Sequence, residues 1–104
     1  MSEYEHMVKE FMPALRAKSA KLMDNRGLSQ KEIAHALNMT QAAISKYLSG
    51  KYSHEVKIVE KTLDSHEVGG FVERLGEHDA YGAQRHVCRM CARNLSFRCR
   101  LMIK

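Results

Sequence analysis

The stretch from Gln30 to Gly50, QKEIAHALNMTQAAISKYLSG, constrains this chain more than any other. It spells two short helices with a tight turn between them. Ser29 and Glu32 form a capping box, in which the hydroxyl accepts from a backbone N–H and the carboxylate reaches back. Ile33, Ala34 and Leu37 then recur at helical spacing and face a core. Asn38 falls where the first helix must stop, and Asn tolerates the left-handed conformation better than most residues with a side chain. Met39 lies in the turn and packs inward. Thr40 suits the N-cap of the second helix. There Ile44, Tyr47 and Leu48 line one face, which leaves Gln41, Ala42, Ser45 and Lys46 on the other. Gly50 ends the helix. The apolar face holds the second helix against its partner, and the polar face is left for a ligand.

This segment resembles the helix-turn-helix of the Cro and phage-repressor class. Gln30 stands at the start of the first helix and Gln41 at the start of the second. Ala34 is the small residue where the helices cross, and Ile44 is the aliphatic anchor. Asn38 replaces the usual turn glycine. The resemblance covers roughly residues 12 to 65. A longer pattern is similar to a group of small archaeal transcriptional regulators, in which a Pro-x-Leu-Arg helix (Pro13 to Arg16) precedes the motif and a Cys-x-x-Cys (Cys88 and Cys91) follows near the C-terminus.

The resemblance implies that the second helix enters the major groove of double-stranded DNA. Gln41 can then pair with an adenine edge, Ser45 can bond several base edges, and Ala42 can touch a thymine methyl. Lys46 reaches guanine or a phosphate, and Thr40 lies beside them. Gln30 sits at a helix N-terminus that suits a backbone phosphate. Lys51 and Tyr52 are expected at phosphates. The competing reading is a purely structural helical pair, serving as a protein–protein adaptor or antitoxin-like module. An RNA-binding module is disfavoured by the scarcity of aromatics for base stacking.

Composition agrees. The 104 residues fit one small domain, or a domain with an appendage, and 44% are apolar. No run of about 18 apolar residues spans a membrane, and no signal-like stretch opens the chain. A cytoplasmic protein with reduced cysteines is expected. Charge is uneven: residues 1–53 carry +3, residues 54–79 carry −4, and residues 80–104 carry +6 with no acidic residue. The middle invites no phosphate backbone, while the last segment does, or else surrounds something anionic.

The expected fold is all-α, a repressor-like bundle over residues 1–65 with a cysteine-containing segment over 66–104. Ser2 and Glu5 suggest a short helix over 2–10. Pro13 opens a second that ends near Asn25-Arg26-Gly27, with Leu15, Leu22 and Met23 on its apolar side. Ser53 caps a helix through about Glu67, striped by Val56, Val59 and Leu63. Gly69-Gly70 breaks the chain. Phe71, Val72 and Leu75 make a short helix before Gly76, and 77–84 read as loop. The two apolar stripes serve either a homodimer on a palindromic operator or the monomer core.

All three cysteines, Cys88, Cys91 and Cys99, fall within twelve residues. Two thiolates three residues apart can bite one metal ion. Cys99 is a third ligand, and the fourth is His86, His78 or a group from a second copy. Zinc and an iron–sulfur cluster both remain open, with Arg85, Arg89, Arg93, Arg98 and Arg100 offsetting the thiolate charge. A thiol–disulfide pair and simple packing, with Val87, Cys91 and Leu95 on one face, are the alternatives. No phosphate loop, nucleophile elbow or HExxH is present, so an enzyme is not expected.

Overall fold

The computed structural model describes the backbone of residues 7–77 and 79–95, and the side chains of 9–77, 79 and 81–90. Helices account for the regular structure of these residues: a π-helical turn (Met7–Phe11), α1 (Met12–Asn25), α2 (Gln30–Leu37), α3 (Gln41–Leu48), α4 (His54–Thr62), α5 (Ser65–Gly76) and α6 (Ala80–Leu95). The Ser2–Glu5 capping box lies outside the described residues.

The N-terminal helix does not stop before Pro13. The π turn runs directly into α1, with Pro13 in its first turn. Pro13 has no N–H, and its ring presses on the carbonyl four residues back. A wider turn upstream gives that carbonyl room and lets the helical path continue. It also carries Phe11 into the core, fully buried.

Central helix α1 packs against the π turn and against α2, α3, α4 and α5. Its Ala14, Leu15, Ala20 and Met23 meet Ile33 and Ala34 of α2, Ile44 of α3, Val56 and Val59 of α4, and Val68, Phe71 and Val72 of α5 in one core. Burial of side chains of this size stabilises the fold by roughly 1.5–3 kcal/mol each. Val56, Val59, Leu63, Phe71 and Val72 are all buried within the single chain. The two apolar stripes therefore close the monomer core, and a dimer must use another surface.

Three helix ends share one geometry. Leu28 N–H reaches Met23 O at 3.1 Å, Met39 N–H reaches Ala34 O at 2.8 Å, and Lys51 N–H reaches Lys46 O at 2.9 Å. Each is the six-residue closure of a Schellman motif, which needs a left-handed residue just past the helix. Gly27 (φ 91°) and Gly50 (φ 75°) supply two of these residues, and Asn38 (φ 55°) supplies the third.

Three boundaries differ from the sequence reading. The helix expected from Ser53 to Glu67 is two helices, because Leu63 is extended and Asp64 caps α5 by accepting from His66 N–H at 2.8 Å. Lys18 Nζ meets the end of α4 by donating to Leu63 O at 2.5 Å. Gly69 and Gly70 lie inside α5 and do not break it. The loop expected over 77–84 is short, because Asp79 Oδ1 accepts from Gly82 N–H at 2.9 Å and starts α6.

Gly70 has a packing reason. A Cβ there would stand 2.9 Å from His86 Cε1 and 3.1 Å from Nε2. The imidazole of His86 lies along α5 in that space, with Nε2 2.6 Å from Glu67 O. A carbonyl only accepts, so Nε2 carries the proton.

Candidate nucleic-acid interface

α2 and α3 are joined by only three residues, and the bonds around Asn38 set the angle between them. Ser29 Oγ accepts from Glu32 N–H at 3.1 Å, while Glu32 Oε1 accepts from Ser29 N–H at 2.9 Å. That backbone bond, seconded by the Ser29 hydroxyl, holds the Glu32 carboxyl below its ordinary range. Thr40 Oγ1 accepts from Ala43 N–H at 3.1 Å and caps α3. Each such cap stabilises its helix by about 1 kcal/mol.

Ile44 is fully buried, and Tyr47 and Leu48 are half-buried against the core. The turn of the helix then presents Gln41, Ala42, Ser45 and Lys46 together, and all four are exposed. Thr40 and Gln30 are exposed beside them, Gln30 as the first residue of α2. Lys51 is exposed one residue past Gly50. Its side chain leaves a backbone position fixed by the Schellman bond to Lys46 O.

Tyr52 sits differently from its neighbour. It is half-buried, and its hydroxyl accepts from Lys21 Nζ at 2.6 Å and donates to Glu60 Oε1. Lys21 Nζ also pairs with Glu60 Oε2 at 2.9 Å. The ammoniums of Lys21 and Lys57 stand 5.3 and 5.5 Å from the centre of the Tyr52 ring. Tyr47 of α3 meets that ring edge-on, with centroids 5.7 Å apart and planes at 62°. Tyr52 thus joins α1, α3 and α4, and its hydroxyl is committed inside the fold. Burial pushes the Tyr52 phenol up, and its bond to Glu60 adds to this. Burial lowers the Lys21 ammonium, but its bonds to Tyr52 and Glu60 outweigh that and leave it above the ordinary lysine range. No sequence signal marked this triad, because Lys21 is distant in the chain from both partners.

The C-terminal cysteines are only partly within the described residues. Cys88 is half-buried on α6, and Cys91 follows one turn later on the same helix. The Cys91 side chain, Cys99 and His78 lie outside the described residues. His86 and Cys88 are two positions apart on a helix, so they point about 160° apart. His86 faces α5 and spends Nε2 on Glu67 O. The structure therefore does not bring His86 and Cys88 together. Among the described residues, no group of three metal-binding side chains converges, and no helix is long and apolar enough to cross a membrane.

No curated protein and no solved structure matches the chain. A helix-turn-helix family model matches residues 20–63, from the second half of α1 through α4. That span holds the two capped helices, the Asn38 turn and the exposed face of α3, so residues 20–63 are similar to a helix-turn-helix domain of the Cro/repressor type, which supports a DNA-binding transcriptional regulator.

Proposed function

We propose that the chain binds a palindromic operator as a homodimer, with α3 in the major groove. The observation that carries the reading is the joint exposure of Gln41, Ala42, Ser45 and Lys46 over a fully buried Ile44. In this reading Gln41 and Ser45 read base edges, Ala42 touches a thymine methyl, and Lys46 takes a guanine or a phosphate. Gln30, Thr40 and Lys51 hold the backbone and set the register. Tyr52 seats the end of α3 rather than reaching a phosphate through its hydroxyl. One recognition helix reads few base pairs, and two of them about 34 Å apart multiply the specificity.

Selection of bound duplexes from a random pool tests this directly. The recovered sites should be symmetric, and sedimentation should find two chains per duplex. Gln41→Ala should flatten the preference at one position of each half-site. Lys51→Ala should weaken binding to all sequences alike and reduce the salt slope by about one. A Gln41→Ala protein with an unaltered preference would overturn the register.

The cysteines are proposed as thiolate ligands of zinc or of an iron–sulfur cluster. Cys88 and Cys91 stand one helical turn apart, about 60° around α6, and Cys99 is the third. With His86 turned to α5, the fourth ligand would come from a second copy or another group. Protein purified without oxygen should hold stoichiometric zinc, or else iron with acid-labile sulfide and visible absorbance. Neither metal would leave the cysteines as thiols.

A further inference from the structure

We infer that the cleft between α1, α4 and α5 is an effector site for a small apolar molecule bearing one carboxylate. The cleft is a cavity of about 230 Å³. Leu22 of α1 and Val68 of α5 line it with apolar surface, and Lys18 and Lys21 line it too, with side chains whose stems are themselves apolar. Its ionisable lining residues are Lys18, whose ammonium donates to Leu63 O, Lys21 and Glu60, a net positive charge that favours an anion. Asn25 and Ser65, both exposed, add an amide and a hydroxyl. Ser65 is also the first residue of α5, at the positive end of that helix. An apolar cavity of about 150 Å³ accommodates benzene, so a body the size of benzoate or hexanoate fits.

The cleft is wired to the recognition helix. Lys21 is held by Glu60 and Tyr52, and a carboxylate in the cleft competes with Glu60 for that ammonium. Glu60 also accepts from the Tyr52 hydroxyl, and the Tyr52 ring supports Tyr47 of α3. Occupancy therefore loosens the support at the end of α3 and lowers affinity for DNA. This second step rests on the operator reading above, whereas binding of the anion does not.

The test is a titration of the isotope-labelled full chain with benzoate and with hexanoate, read by amide chemical shifts. Benzyl alcohol and hexanol are the neutral controls. Saturable shifts at Lys21, Leu22 and Val68 are expected, with a Kd of about 1 mM or tighter. The alcohols and the Lys21→Met protein should bind about tenfold more weakly, the loss of one charge-assisted hydrogen bond. Leu22→Phe, which fills the cavity and spares both lysines, should abolish the shifts. Absence of saturation, equal binding of the alcohols, or indifference to both variants would overturn the site. The duplex recovered by selection then reports coupling. A several-fold rise in its Kd at saturating benzoate is expected, and an unchanged Kd would overturn the coupling. A protein that binds no duplex would sink the operator reading, while the shifts would still decide the cleft.

Discussion

Asn38 sets the angle at which α3 leaves α2. It is left-handed at φ 55° and ψ 51°, a conformation that costs an ordinary side chain roughly 1–2 kcal/mol. Asn tolerates it better than most, and glycine carries no such cost. Asn38→Gly should therefore leave the fold intact and hold or raise the melting temperature. Asn38→Val, which is β-branched, should destabilise by about 2 kcal/mol and weaken DNA binding in parallel. Equal stability of the two variants, measured by urea unfolding, would contradict the turn geometry. Ser19 offers the opposite case. It is fully buried in α1, and its hydroxyl has no partner among the described residues. A buried hydroxyl without a partner costs about 1–3 kcal/mol. Ser19→Ala removes that cost with little change in volume and should raise stability by about 1 kcal/mol, against the usual destabilising effect of a core substitution.

The α5–α6 pair shows what the sequence could and could not disclose. Helices α2 and α3 were readable to the residue, because Ser29, Glu32, Asn38, Thr40 and Gly50 act locally and are bound by their own neighbours. The two glycines of α5 carry no local mark of their purpose, and the dipeptide reads as a break. Their roles come from helices that arrive later or earlier in the chain. At Gly69 an added Cβ would meet only Arg26 at 3.8 Å, an ordinary contact, so Gly69→Ala should add about 0.5–1 kcal/mol from helix propensity. At Gly70 the same methyl group displaces the His86 imidazole and its bond to the Glu67 carbonyl. Gly70→Ala should lower stability by about 1 kcal/mol, and in a histidine-selective spectrum the His86 resonance should move. A stabilised Gly70→Ala protein with an unmoved His86 would show that α6 does not depend on this contact. The caps Asp64 and Asp79 were present in the sequence, but the apolar stripe from Val56 ran past the first, and the polar run from Glu77 masked the second.

Long-range contacts are the part no local pattern could have given, and the Lys21–Tyr52–Glu60 triad is the chief of them. Three helices converge on it, and charge enters through groups whose proton affinities differ between folded and unfolded chains. Lys21 and Tyr52 both hold their protons more tightly when folded. Stability from them is complete below the ordinary lysine and tyrosine ranges and is lost as pH rises through the raised values. Glu32 has the opposite sign. Its carboxyl is held low by the Ser29 backbone, so its contribution is present above the ordinary carboxylate range and is lost as pH falls through the depressed value. The chain should therefore lose stability at both ends of the pH scale for separable reasons. Glu60→Gln keeps a hydrogen-bond acceptor but removes the charge that Lys21 pairs with, and it should flatten the alkaline limb of a melting-temperature profile while sparing the acid limb. Glu32→Gln should flatten the acid limb alone. If Glu60→Gln left the alkaline limb unaltered, the triad would not be the link that ties α1 and α4 to the end of the recognition helix, and an effector acting on Lys21 would have no route to α3.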